Sequence, residues 1–390
     1  MIAGTPVLDL DDVASLEAAD SGGMLRSAAS AGAQVRATAA AVGEHALARL
    51  QDLRPRSLVI VSGSGRAARA AALLVACLGD RAGLPILPVT SIPPWIGPLD
   101  AVLVAGDDAG DPRLVEAVDR ALRRGAEVVV AAPDEGPMRA AAAGRAAMLP
   151  PRVPVLDQNR LLRYLAVGIA VLAAVDPLRS APLLPDLEAL SDALDAEALR
   201  DGPQHEVFHN PSKTLAARMQ EHRLVLAGDT PAATAVAEHG AEVLLQAAGQ
   251  IVAAADLATV VAGHARLAEA AGGAAAPGFD PLFHDEQLDG PAPVQQVRVF
   301  AVSAETDEIA VRRRLAVFDS GGGLVDADLV YVEPEAPRSG PAAVPPGPGH
   351  ELEHLALLVL RLEMAAVYLH LLGRPAVSTE RPAHYDGGHY

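Results

Sequence analysis

Along the first half of the chain, short continuous apolar runs alternate with longer stretches of helical periodicity. A helical segment from Met24 to Gln51 precedes the strand "SLVIVSG" (Ser57–Gly63) and a helix from about Arg66 to Leu78. Strands follow at Leu84–Val89 and Ala101–Gly106, then a helix from about Asp111 to Arg124, a strand at Ala126–Ala132 and a short one near Ala146. A helix over Leu161–Val175 completes this half. The runs read as Val/Leu blocks rather than as alternating positions, the pattern of strands buried on both faces. Strands alternating with helices in this order predict an α/β fold with a doubly wound parallel sheet.

The pattern then starts afresh. The Pro-rich stretch around 181–208, with one helix and an Asp-Gly-Pro, predicts a linker between a subdomain over 1–180 and a second over 209–375. The second subdomain opens with helix "PSKTLAARMQ", strand His222–Gly228 and a helix from about Pro231. "AEVLLQAAGQIVAAADLATVVAG" fits either a strand and a helix or one long helix. "VQQVRVFAVS", "RRRLAVFD" and "DLVYVEPE" predict strands. "PRSGPAAVPPGPG" predicts a linker, "ELEHLALLVLRLEMAAVYLHLLG" a closing helix, and residues 376–390 a disordered tail.

Composition narrows the partners. The formal charge of −18 and the 3% aromatic content argue against nucleic acid, which needs a clustered basic surface and stacking platforms. The lone cysteine, Cys77, lies in an apolar run and fits a small buried residue in a reducing cytoplasm. The N-terminus lacks a basic n-region, so no signal peptide is expected. The longest uninterrupted apolar run, Tyr164 to Val175, is too short to span a bilayer, so no membrane partner is expected.

Four motifs could carry chemistry. In "VSGSGRAARA", Gly63-Ser64-Gly65 joins a strand to a helix in the form G-x-G-x-x-A, which lets backbone N–H groups approach a phosphate. The next strand ends in Val89-Thr90-Ser91, without the carboxylate that would bind a nucleotide ribose. Ser62, Ser64 and Arg66 suit a sugar phosphate better, and a plain tight turn is the bland alternative. "HELEH" (His350–His354) spells a zinc-peptidase motif, but it follows "PPGPG" directly and reads better as a charged first turn. No metal or cofactor is expected. In "FHDE", His284 beside Asp285 and Glu286 has the ingredients of acid–base work, against a solvated loop. In "HNPSKTLAARM", Asn210 caps a helix, Pro211 takes its first position, and Lys213 is the only lysine in the chain.

Together the last two motifs resemble the bifunctional phosphoglucose/phosphomannose isomerases, which are built from two SIS (sugar isomerase) subdomains. The matching residues are "NPSKTLA" (Asn210–Ala216), "LVLAG", "TAVAEHG", "HDE" (His284–Glu286) and the stretch holding Arg312. The resemblance implies a homodimer, a phosphorylated sugar bound between the subdomains, ring opening by His284 donated across the dimer, and aldose–ketose interconversion. It implies a role for Lys213 in helix and domain placement.

Two departures stand out. Where the family's phosphate loop carries hydroxyls, this chain has Asp107, Asp108 and Asp111, each expected to repel a phosphate by about 1 kcal/mol. Where the family places its catalytic glutamate, the counterpart is Gln246, which cannot shuttle a proton. A relocated base would fall to Glu286, Glu242 or Asp285. The alternative is a non-catalytic sugar-phosphate sensor or partner-binding subunit.

Overall fold

The computed structural model describes residues 8–272, 296–305, 308–318, 324–333 and 349–373. Three short helices, α1 (Val13–Ala19), α2 (Met24–Ala29) and α3 (Ala31–Gly43), lead into the first α/β unit. The segment expected as one helix over 24–51 is broken at Ser30 and again after Gly43.

The first sheet holds β1 (Ser57–Ser62), β2 (Ile86–Val89), β3 (Asp100–Ala105), β4 (Glu127–Ala131) and β5 (Ala147–Met148), all parallel, in the order β2-β1-β3-β4-β5. Both faces of β1 and β3 are buried along their length, as continuous Val/Leu runs require. Helices α4 (Arg66–Leu78), α5 (Pro112–Arg123), α6 (Gly136–Ala142) and α7 (Leu161–Val175) surround it.

Helix α8 (Leu187–Arg200), capped by Asp186, packs on α3 and leads to α9 (Pro211–Met219). The second sheet holds β6 (Arg223–Gly228), β7 (Val252–Asp256), β8 (Val297–Val302) and β9 (Val325–Val330), parallel, in the order β7-β6-β8-β9. Its helices are α10 (Pro231–Ala248), α11 (Leu257–Ala262), α12 (His264–Gly272), α13 (Glu308–Leu315) and the closing α14 (His350–Leu372). At the end of β6, a Cβ on Gly228 would stand 2.0 Å from the Thr234 amide nitrogen, so only glycine lets α10 start so close to the sheet.

The ambiguous stretch after Ala241 resolves as the end of α10, a Gly249 stop in the left-handed region (φ 66°), strand β7 and helix α11. "RRRLAVFD", expected as a strand, instead supplies the last turn of α13, Arg312–Leu315. Three consecutive arginines on a buried strand would put charge into a core face, whereas a surface helix leaves it in water.

Two helices, Asp157–Val175 and His350–Leu372, are long and apolar enough to cross a membrane, but 78% and 94% of their apolar windows are buried inside the protein. They form the central spine: α7 lies against α4, and α14 against α9 and α10, within one core cluster that continues from one subdomain into the other.

The lone lysine sits beside this spine. Asn210 Oδ1 accepts the Lys213 amide at 2.8 Å and so caps α9. The Lys213 ammonium is buried and donates to the carbonyls of Leu10, Pro203 and His205 at 2.6, 2.7 and 2.7 Å. It also lies 5.7 Å from the Tyr368 ring centroid. Burial pulls its pKa below the ordinary lysine value, opposed by the charges of Asp11 and Asp9. The ammonium thus fastens the N-terminal segment and the 203–205 turn to α9. Replacing it with methionine leaves three carbonyls without a donor, so Lys213→Met should lower unfolding free energy by about 3 kcal/mol or more. An unchanged urea midpoint would show that the ammonium is dispensable.

Candidate functional site

In the first sheet the strand order reverses between β1 and β3, and open parallel sheets bind ligands beyond such a switch point. The loop after β1 is Gly63-Ser64-Gly65. Gly65, at φ 79°, turns the chain directly into α4, and no side chain caps that helix. The first N–H groups of a 13-residue helix therefore point out beside exposed Ser64, while Ser62 is buried at the strand end.

The loop after β3 carries the three aspartates, and the structure changes their electrostatic meaning. Asp107 is paired with Arg160 at 2.9 Å and accepts the Tyr164 hydroxyl at 2.6 Å. Asp111 caps α5 and pairs with Arg113 at 3.1 Å. Asp108 accepts the Gly110 amide at 2.7 Å. Asp111 is thus neutralised in place, and Asp107 shares Arg160 with Asp157, which lies 2.8 Å from the guanidinium, so the repulsion expected from three free carboxylates is reduced. A Cβ on Gly63 would come within 3.2 Å of Arg113 Nη2, so the two loops face each other across a narrow crevice.

Beyond the ends of β3, β4 and β5 lies a cavity of about 350 Å³ lined by Asp107, Pro133, Arg152, Arg160 and Arg163. Arg163 is buried, donates to the Leu149 carbonyl at 2.9 Å and stacks 4.7 Å from the Tyr164 ring centroid. Burial lowers its pKa, but a guanidinium stays charged. Arg152 is held by Glu44 at 2.6 Å. Sequence reasoning missed these three arginines. Their signal was position: they follow β5 in the Pro-flanked run "PPRVPVLDQNRLLR", on the edge where a parallel sheet presents its ligands.

Arg66 opens α4 but turns away from the loop and into the seam against α10. Its guanidinium donates to Glu242 Oε2 at 2.6 Å, Gln246 Oε1 at 2.5 Å and His239 Nδ1 at 3.3 Å. Arg69, one turn on, pairs with Glu238 and Glu242. An arginine only donates, so His239 Nδ1 must accept. Its proton then sits on Nε2, which donates to Glu363 Oε1 at 2.9 Å. Asn159 Nδ2 donates to Glu363 Oε2 at 2.7 Å, and Ser27 donates to Asn159 Oδ1 at 2.7 Å.

Burial holds His239 neutral, its pKa well below the usual value, helped by the charges of Arg66 and Arg69. Burial pushes the Glu363 carboxyl up to about 8, against the hydrogen bond from Asn159 and the charge of Arg66. Both carboxyl oxygens already receive a donor, which favours the carboxylate, while the dry surroundings favour the acid. The balance falls just above neutrality.

Of the sequence-predicted site residues, Ser62–Gly65, Asp107 and Asp108 share the crevice region; Arg66, expected to bind substrate, is instead buried in the seam, because its charge is paired there, and holds Gln246. Asn210 and Lys213 are buried in helix placement. Arg312 lines a different cleft, on the second subdomain. His284, Asp285 and Glu286 lie outside the described residues. The HELEH histidine rings lie with centroids 3.7 Å apart, tilted by 55°, and burial takes His354 down to about 4. Glu363, nine residues after His354, faces His239, and no group of three potential ligands occurs among the described residues.

No family model matches the chain, and no curated protein matches it. Solved structures do. A tagatose-6-phosphate ketose/aldose isomerase from Escherichia coli matches at TM-score 0.55 with 13% identity, over 90% of this chain and 94% of its own. The C-terminal domain of glucosamine-fructose-6-phosphate aminotransferase from Francisella tularensis matches at 0.53 with 10% identity, over 90% and 96%. A hypothetical protein from Thermus thermophilus reaches 0.57 with 13% identity, over 92% and 89%. The chain therefore has the two-subdomain α/β fold of phosphosugar isomerases, as the motif order implied; the bifunctional family is not singled out among them.

The seam makes stability depend on pH. A carboxyl raised above its unfolded value stabilises the fold fully below about 4.5 and loses that contribution as pH climbs toward 8. His239, depressed from 6.5, acts in the opposite sense below that pH, so between 6.5 and 8 Glu363 acts without this opposition. Over that window the protein should lose up to about 1.4 kcal/mol of stability per pH unit. Urea unfolding at pH 6.5 and 8 should show this slope, and Glu363→Gln should flatten it. Equal slopes in the two proteins would remove Glu363 as its source.

Proposed function

We propose that this chain binds a phosphorylated sugar in the crevice between the β1 and β3 loops. The phosphate would sit on the uncapped start of α4 and the sugar would reach the seam at Gln246. The observation that supports this best is the open helix N-terminus, reached through Gly65, at the same end of the sheet as a cavity whose lining carries three arginines and one already paired aspartate. The proteins that share the fold and are named for phosphosugars give the same direction, and the motif resemblance narrows it to hexose 6-phosphates.

The described part of the site is built for holding rather than for proton transfer. Gln246 presents an amide. Glu242, the nearest carboxylate on α10, is held by both Arg66 and Arg69, so taking a proton would break two ion pairs. We therefore favour a sugar-phosphate-binding or sensing role. The alternative is aldose–ketose isomerisation, with His284 contributed by a second copy in a homodimer and Glu286 or Asp285 as the base.

Calorimetric titration with fructose 6-phosphate should give saturable binding. Arg160→Ala should weaken it about ten-fold, the loss of one charge-assisted hydrogen bond. A coupled assay for glucose or mannose 6-phosphate should stay silent. Absence of binding would overturn the proposal; turnover abolished by His284→Ala would replace the sensing role with the isomerase.

A further inference from the structure

The second subdomain has a cleft of about 480 Å³ between α9, the turn before it and the edge strand β9. Four arginines line it: Arg200, Arg218, Arg312 and Arg361. A second lobe of about 400 Å³ shares Arg218, Arg312 and Asp328 with it. In a chain of net charge −18, such a concentration of guanidinium groups needs an explanation.

Two of the local carboxylates are each shared by two arginines. Glu197, 3% exposed, is shared: Arg361 donates to Oε1 at 2.6 and 2.9 Å, and Arg200 pairs with Oε2. Asp328 is likewise shared, with Arg218 at 3.0 Å and Arg298 at 2.7 Å. Among the described residues, Asp201 lies behind Arg361, and Arg312 and Glu333 add one group of each sign to the lining. Arg200 and Arg218 are 41% and 52% exposed, so part of each donor fork faces the cleft rather than its carboxylate.

The cleft also gathers aromatic surface. Of the chain's eleven Phe, Tyr and Trp side chains (5, 5 and 1), Phe208 and Tyr331 line it, with Phe300 fully buried behind them. Phe208, on the turn Val207–His209, is 91% exposed, more than any other large apolar residue among those described. An aromatic face left in water beside exposed guanidinium donors matches a ligand that has both a planar ring and a polyanion. The volume falls within the range of small-molecule sites.

We propose that this cleft is a nucleotide-binding site, with the base stacked on Phe208 and the phosphates received by Arg200 and Arg218. It is separate from the sugar-phosphate crevice and does not rest on that assignment.

Isothermal titration with ADP, and with pyrophosphate as a ring-free anion, tests it. ADP should bind with one site per chain and pyrophosphate more weakly. Arg200→Ala and Arg218→Ala are suitable variants, because Arg361 and Arg298 keep Glu197 and Asp328 paired; each should weaken both probes about ten-fold. Phe208→Ala should weaken ADP by roughly five-fold or more and leave pyrophosphate unchanged. Arg160→Ala, in the other crevice, should not alter ADP binding. No heat with either probe would overturn the proposal, as would ADP affinity indifferent to the three cleft variants. Loss of self-association in Phe208→Ala with no ADP binding would also overturn it, making the cleft an interface between copies.

Discussion

Everything at the seam depends on one buried guanidinium. Arg66 is the first residue of a helix whose N-terminus faces an open crevice, yet its side chain is 4% exposed and committed to α10. A buried charge is tolerable only when it is paired and hydrogen-bonded. Glu242 supplies the opposite charge, Gln246 and His239 supply acceptors, and His239 passes the hydrogen-bond demand on to Glu363 and Asn159. The chain of donors thereby ties α4 and the loop segment at Asn159 in the first subdomain to α10 and α14 in the second.

This constraint explains why the position on α10 that meets Arg66 is an amide. A free carboxylate at 246 would join Glu238 and Glu242 on the same helix face, three acids against Arg66 and Arg69. Glutamine accepts the Arg66 hydrogen bond without adding charge. The same trade recurs elsewhere: Asp107 and Asp111 are each paired with an arginine, and Glu197 and Asp328 each serve two. A chain with 31 basic groups, all but one of them arginine, uses bidentate forks to hold carboxylates in place. The one lysine is used differently, as a point donor to three carbonyls that no planar fork could serve together.

The fold was legible because local signals agree with burial. The bounds of α4 and α7 emerge from apolar periodicity and, for α4, the Gly-Ser-Gly start, and the parallel strands announce themselves as unbroken Val/Leu runs. The site was only half legible. Ser62 to Gly65 could be named because glycine spacing has a backbone meaning. The direction of the Arg66 side chain could not, since it depends on α10, far away in sequence. Likewise Asp107 reads as a repulsive charge until Arg160 and Tyr164 are seen beside it. "RRRLAVFD" failed for a related reason: its apolar end mimics a strand, and only tertiary placement of the arginines decides for a helix.

The most direct test of this account is a crystal structure of the protein with fructose 6-phosphate. The account predicts the phosphate on the first amides of α4, near Ser64 and Gly65, with the sugar directed toward Gln246. A phosphate lodged in the Arg200–Arg218 cleft with the α4 N-terminus vacant would contradict it.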